Sequence, residues 1–205
     1  MHDYELLYFP ARGRAEHIRL LFAFKGIPFT EIAPSDWPKQ KPTTPFGQVP
    51  VLTERGEGAE FCLAESGAIL RHLARRFDMY GSGLSQHAMA DSLADFVAES
   101  RSKYVPIAYA ATFHTSPEAI AKYYDHLPQT LAILERAHGR SQSPAAGWFI
   151  GDAVTFADVT AFDYLDGIER LKPDVLNDFP ALKGFVTQFR ALPTIGPFLA
   201  ERTRP

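Results

Sequence analysis

Three short segments of this chain bring phenol, guanidinium, carboxylate and hydroxyl groups to places where two secondary-structure elements meet. The first, Tyr8-Phe9-Pro10-Ala11-Arg12-Gly13-Arg14, follows a strand-like run and precedes a helical one. A phenol and two guanidiniums therefore converge on one strand-to-helix turn; the bland alternative is a core tyrosine beside solvated arginines. The second, Pro45-Phe46-Gly47-Gln48-Val49-Pro50-Val51, sets a proline directly before a predicted strand. Such a proline cannot donate to the ladder and can adopt the cis form in a tight turn, and a cis Pro50 would turn the Val49 backbone outward toward an extended peptide ligand. The third, Ala64-Glu65-Ser66-Gly67, opens a helix. Glu65 and Ser66 either simply cap that helix, or its free amides take a ligand carboxylate while Glu65 meets an ammonium group. Taken together, these groups suit a small zwitterionic ligand.

Other chemistries lack their residues. There is no Gly-x-Gly-x-x-Gly, no Gly-Lys-Thr/Ser, no Gly-x-Ser-x-Gly and no His-Glu-x-x-His, which removes the usual support for dinucleotide, P-loop, α/β-hydrolase and zincin readings. The seven His are scattered singly, a pattern commoner for solvated or packed rings than for metal ligands. One cysteine, Cys62, excludes an intrachain disulfide, a Cys-x-x-Cys pair and any multi-cysteine metal site, and it suits a reducing, cytoplasmic compartment.

The elements that must hold these groups are legible from periodicity. Tyr4 to Phe9 reads as a strand, Ala15 to Lys25 as a helix ended by Gly26, and Pro28 to Ile32 as a second short strand. Pro34 to Pro45 is too rich in proline and polar residues for a regular helix and is expected to be an irregular loop. Val51-Leu52-Thr53 and Phe61-Cys62-Leu63, joined through Gly56 and Gly58, read as a hairpin, and Ser66 opens a helix to about Phe77. The order is βαβ, a loop, then ββα.

Beyond Phe77 the texture changes. Residues 78 to 85 read as a linker, and everything after them is helical in period, which predicts two domains, 1–79 and 85–205. Ala88 to Ala111 is one helix that Pro106 should bend, and Pro117 to His138 is another that admits Pro128 only with a kink or a break. Gly139 to Gly147 is a polar loop. Further helices start near Thr155 and Ala181, and a short one fills the tail before Pro205. Thr155-Phe156-Ala157-Asp158 has the form of a capping box, with Val154 and Val159 at staple positions, and implies a role in folding.

Composition sets the bounds. The 205 residues, 46% hydrophobic and 22% charged, are those of an ordinary globular chain, and a net charge of -3 gives no reason to expect nucleic acid or an anionic membrane as partner. No stretch approaches the roughly 18 apolar residues of a membrane span, and the first residues lack the pattern of a signal peptide. The unusual quantity is ring surface: 13% of residues are aromatic, with 16 Phe beside 16 Pro, and that surface must go into cores, an interface or an apolar pocket.

In its motifs the chain resembles a cytosolic glutathione S-transferase, most closely the sigma class. The matching residues are Tyr8-Phe9-x-x-Arg12-Gly13-Arg14-Ala15-Glu16, Asp36-Trp37-Pro38, the Pro45 to Leu52 block and Thr155-Phe156-Ala157-Asp158. The resemblance implies α/β plus all-α architecture, with an N-terminal thioredoxin-like βαβ-ββα domain, a C-terminal all-helical domain, and a homodimer acting in detoxification. It implies reduced glutathione as co-substrate, with no permanently bound cofactor and no metal. It makes Tyr8 the catalytic group and assigns glutathione to Tyr8, Arg14, Trp37, Lys41, Gln48, Val49, Pro50, Glu65 and Ser66, with Asp95 reaching over from the partner subunit. Phe9, Arg12, Gly13 and Tyr104 become candidates for the wall of a pocket for hydrophobic electrophiles, although for Tyr104 core packing is an equal reading. Glu65-Ser66 departs from the Gln-Ser usual in the sigma class, and the divergent helix around Glu99 to Tyr104 gives no ground for transferring isomerase activity. The alternatives are a non-catalytic ligandin or crystallin-like protein and, more distantly, a thiol-disulfide oxidoreductase using Cys62.

Overall fold

Alternation of buried and exposed residues along Asp3–Leu7, with Tyr4 and Leu6 inward, makes the first strand, β1, the centre of a half-buried sheet. The computed structural model describes residues 3–56, 59–141 and 143–203. In it β1 pairs in parallel with β2, Thr30–Ile32, and antiparallel with β3, Val51–Gly56, which pairs antiparallel with β4, Ala59–Ala64. The strand order β2-β1-β3-β4 is the four-stranded mixed sheet of a thioredoxin-like unit. Gly58, expected in the hairpin turn, and Pro205, at the end of the tail, lie outside the described residues.

Two helices cover one face of this sheet. α1, Glu16–Lys25, ends where Gly26 takes φ 63° and its amide returns to the carbonyls of Phe22 and Ala23, the left-handed cap that glycine allows. α3, Ser66–Arg76, packs against α1 through the stripe Ile69, Leu70, Leu73 and Ala74. Their shared core gathers Tyr4, Leu6, Ile18, Leu21, Phe22 and Leu52, with Phe22 stacked on Phe29 at 4.6 Å. The stretch expected to be an irregular loop contains two helical turns instead: α2, Trp37–Gln40, and a 3₁₀ turn, Lys41–Thr43. Pro38 and Pro42 each stand in a first turn, where no intrahelical bond from their nitrogen is needed, so they start these turns rather than forbid them.

Residues Met79–Ala191 form a second compact unit, entirely helical. It comprises α4, Gly83–Ala108, the short α5, Ala110–Phe113, then α6, Pro117–His138, α7, Phe156–Leu171, and α8, Pro180–Arg190. α6 runs unbroken past Pro128. α7 is buried all round from Phe156 to Ile168, the pattern of a central helix, and α4 and α8 pack on it. Two of its buried carboxylates are paired with arginines: Asp163 with Arg101 at 2.5 Å and Asp166 with Arg190 at 2.7 Å. α9, Ile195–Glu201, belongs by contact with the sheet unit, because Thr194 Oγ1 donates to the Phe24 carbonyl and Arg202 reaches Glu16, both at 3.2 Å.

The expected capping box is present at the start of α7. The Asp158 amide donates to Thr155 Oγ1, and Asp158 Oδ2 accepts from the Thr155 amide at 2.8 Å and its hydroxyl at 2.7 Å. Asp158 Oδ1 also accepts from the Phe149 amide at 2.8 Å, so one carboxyl joins the loop to the helix, and Val154 and Val159 are both buried beside it. Burial pushes the Asp158 carboxyl up from its ordinary value of 3.8 to about 6, although the bonds from Thr155 and Phe149 pull the other way. The folded state therefore holds this proton more tightly than the unfolded chain, and the resulting stability is full below about pH 4 and fades as pH rises through about 6. Asp158→Asn cannot titrate there. Its stability deficit against wild type, measured by urea unfolding, is expected to narrow by about 3 kcal/mol between about pH 4 and about pH 7. A deficit that grows with pH would show that the fold prefers the ionised cap.

Candidate functional site

The register of the sheet assembles the site. Leu7 is opposite Val51 and Ile32, and Val51 is opposite Ala64, so one row at the end of the sheet reads Ile32, Leu7, Val51, Ala64. Every chain segment of interest enters or leaves through that row: Tyr8 follows Leu7, Val49-Pro50 precede Val51, Glu65-Ser66 follow Ala64, and the segment carrying Trp37 and Lys41 leaves from Ile32. Four segments far apart in sequence thus share one edge. Tyr8 still uses the ladder, its amide donating to the Ile32 carbonyl at 3.0 Å, while its side chain is half-buried.

The turn after β1 is shaped around the phenol. The Arg14 amide donates to Tyr8 Oη at 2.8 Å. This approach depends on Gly13, which has φ 41° and where a Cβ would stand 2.2 Å from Tyr8 Oη. A hydroxyl has one proton and two lone pairs, so a phenol that accepts from Arg14 retains its own proton to donate elsewhere. Arg14 contributes its backbone here, and its side chain is exposed. Phe9, 38% exposed, stands edge-on between Tyr8 and Trp37, with ring centroids 6.0 and 5.5 Å away. Arg12, expected in a pocket wall, is only 5% exposed and so offers a ligand little surface.

The remaining sheet-edge residues form the other side. The Val49–Pro50 peptide bond is cis, as the sequence suggested, with Pro50 buried, Val49 half-buried and Gln48 exposed. Gly47, at φ 65°, lies beside the Lys41 stem; a Cβ there would be 3.6 Å from Lys41 Cε. Glu65 takes φ 70° and ψ 112° and makes no side-chain bond to the helix it precedes, which rules out the simple capping role. A non-glycine residue in that region stores strain of about 1–3 kcal/mol, a feature that clusters at binding sites. The first amides of α3 follow it directly, with Ser66 half-buried.

The other two candidates are on α4 in the helical unit. Asp95 is exposed. The Tyr104 ring meets Tyr164 edge-on at 6.0 Å, and its hydroxyl lies 2.7 Å from where a Gly167 Cβ would be, so Tyr104 packs on α7 through a glycine. Among the described residues no group of His, Cys, Asp or Glu is arranged to hold a metal ion, and no helix is long and apolar enough to cross a membrane. Cys62 is exposed on β4. One residue of the site escaped the sequence reading: Arg19, 1% exposed, whose guanidinium carbon is 5.6 Å from the centre of the Tyr8 ring. A charged residue between Ile18 and Leu20, with Glu16 three positions earlier, was the available signal.

A thioredoxin-like sheet unit joined to an all-helical unit is the architecture this chain shares with solved glutathione S-transferases. The model for the glutathione S-transferase N-terminal domain matches residues 4–75, and that for the C-terminal domain residues 98–202. The glutathione S-transferase of Dirofilaria immitis is 35% identical over 98% of this chain and 93% of its own. Among solved structures, the Pi-class enzyme of Onchocerca volvulus is 31% identical, with TM-score 0.86 over 97% of this chain and 93% of its own. The sigma-class enzyme of Fasciola hepatica is 26% identical, also at TM-score 0.86, over 100% and 98%. The chain belongs to the glutathione S-transferase family, and it is a glutathione transferase. Because Pi and sigma structures fit it equally, the expected sigma assignment broadens to the family as a whole.

Gly13→Ala tests the turn. The added methyl must push the phenol or the backbone aside, so transferase activity measured as kcat/KM is expected to fall at least about tenfold, with about 1 kcal/mol or more lost in unfolding. Wild-type kinetics would mean that the Tyr8 hydroxyl position is immaterial.

Proposed function

We propose that this enzyme activates the thiol of glutathione as its thiolate and conjugates it to hydrophobic electrophiles, with Tyr8 as the catalytic residue. The observation that carries this reading is the Arg14 amide on Tyr8 Oη: the occupied lone pair polarises the phenol and leaves its proton to donate to sulfur. A thiol of pKa near 8.5 is only a few per cent ionised at neutral pH, and each unit of depression represents about 1.4 kcal/mol of preference for the thiolate. Bond formation then needs the electrophile held in line, and proximity supplies much of the remaining acceleration.

In the same reading the row of sheet-edge residues holds the tripeptide. The Val49 backbone, turned out ahead of Pro50 with Gln48 beside it, pairs with the cysteinyl part. Lys41 supplies charge and Trp37 an indole N–H to the glycyl carboxylate. The α3 amides and Ser66 take the γ-glutamyl carboxylate, and Glu65 its ammonium group, which gives the strained, uncapped Glu65 a purpose. Asp95 reaches the same ammonium from the partner subunit of a homodimer. The electrophile meets the exposed ring of Phe9 beside Gly13, in a sigma-like member of the family that works in the reducing cytoplasm.

Tyr8→Phe removes the donor and leaves the ring. Conjugation of a generic aryl halide should slow by about a hundredfold, the scale for loss of one preorganised donor, and the ultraviolet absorbance of bound thiolate should vanish at neutral pH. Equal rates would overturn the role of Tyr8. Absence of thiolate absorbance in the wild-type complex would instead favour a binding protein that has lost turnover.

A further inference from the structure

Arg19 is the largest side chain buried below 2% exposure, and the chemistry of conjugation makes no direct use of it. Its partners are unusual in kind. Nη1 donates to the carbonyl of Ala11 at 2.9 Å and of Arg12 at 3.3 Å, and Nη2 to that of Phe9 at 3.4 Å. Nε meets Glu31 at 2.6 Å and Nη1 meets Glu16 at 3.2 Å. Glu16, with no exposed surface, is held again by Arg202 at 3.2 Å, so two cations enclose it.

A buried ion pair alone contributes little net stability, and charge compensation for Glu16 and Glu31 requires only a cation. The three carbonyls require more. They belong to the turn that begins after Tyr8 and ends with the Arg14 amide on Tyr8 Oη; the Phe9 carbonyl also accepts from the Ala11 amide at 2.7 Å and the Arg12 carbonyl from the Ala15 amide at 3.3 Å, so Arg19 adds a second donor to these two and meets the Ala11 carbonyl between them. A planar guanidinium with five donors reaches all of them from one place; the point charge of a lysine cannot. The same guanidinium lies over the Tyr8 ring, so both ends of the Tyr8–Arg14 hydrogen bond are referred to one rigid group.

We propose that Arg19 is a positioning residue of the reaction: it clamps the carbonyls of Phe9, Ala11 and Arg12 so that the Arg14 amide stays on Tyr8 Oη and the phenol proton points at the sulfur. The inference rests on the catalytic role of Tyr8. It concerns the geometry of the donor and not the holding of glutathione, which the sheet-edge residues perform. Loss of the clamp therefore acts on the thiol and on kcat, and leaves KM for glutathione nearly unchanged.

Arg19→Lys is the test, because it retains a cation between Glu16 and Glu31 and gives up the fork. In the folded variant kcat with an aryl halide is expected to fall about tenfold and the pKa of bound glutathione to rise by about one unit, with KM for glutathione within about twofold. Exchange of the Arg14 amide, followed without glutathione, should quicken by about tenfold. Added to Tyr8→Phe, the same substitution should raise the thiol pKa no further, since the two act through one bond. A wild-type thiol pKa in folded Arg19→Lys, or a full further rise in the Tyr8→Phe background, overturns the proposal. Faster Arg14 exchange with an unmoved thiol pKa overturns it as well; if Tyr8→Phe is then equally inert, the fault lies with the reading of Tyr8. Should Arg19→Lys not fold, Glu31→Gln, at a carboxylate 38% exposed, loosens only the Nε arm and should give smaller shifts of the same sign; none would overturn the clamp.

Discussion

A backbone amide 2.8 Å from a phenol oxygen, with no side chain between them, is the constraint around which the sheet unit is organised. It fixes residue 13 as glycine twice over, by φ and by space. It also dictates the path of the next few residues. The turn must bring residue 14 back over residue 8 and still deliver Glu16 to the start of α1, and each carbonyl it turns inward must find a donor. Arg19 and its carboxylates answer that requirement from the next turn of the helix. A phenol on a loop is thereby held by a buried helix, which is how a flexible connection acquires a precise geometry.

The sheet supplies the second level of order. Because β1 runs parallel to β2 and antiparallel to β3, and β3 antiparallel to β4, the outgoing ends of β1, β2 and β4 and the incoming end of β3 all lie at one edge. A register slip of one residue in β3 would move Val49 and Pro50 away from Tyr8 and exchange the faces of Val51 and Leu52, which are buried. Core packing thus protects the site without touching a ligand. The helical unit shows the same economy in another form, where one buried carboxyl, Asp158, ties loop to helix and α7 carries α4 and α8.

Legibility in the sequence is a matter of range. Tyr8, the cis Val49–Pro50 bond, the Glu65 corner and the Thr155 box are each defined by a few adjacent residues whose turn chemistry is local. Pro38 and Pro42 look like breakers in a pattern, yet each stands in the first turn of a short helical segment, where proline is tolerated. The placement of α9 was out of reach, since the bonds joining it to Phe24 and Glu16 span most of the chain. Arg19 was hidden for a related reason: on a helical pattern its charge marks the solvent side, and only the carboxylates of Glu16 and Glu31 together with the carbonyls of a neighbouring turn make burial favourable.

Arg14 shows how a residue can be chosen correctly for a different reason. The sequence brings its guanidinium to the turn beside Tyr8 and the resemblance assigns it to glutathione, yet the atom that meets the phenol is its amide nitrogen, whose N–H every residue except proline possesses. The side chain is exposed, and charges in that setting are screened by solvent and salt. The two contributions of position 14 are therefore separable in principle. The backbone contribution depends on the shape of the turn, hence on Gly13 and Arg19, and is insensitive to ionic strength. The side-chain contribution is a field effect that salt should weaken. A substitution at residue 14 by anything but proline reports only the second, so the importance of the turn is to be sought in the residues that bend it.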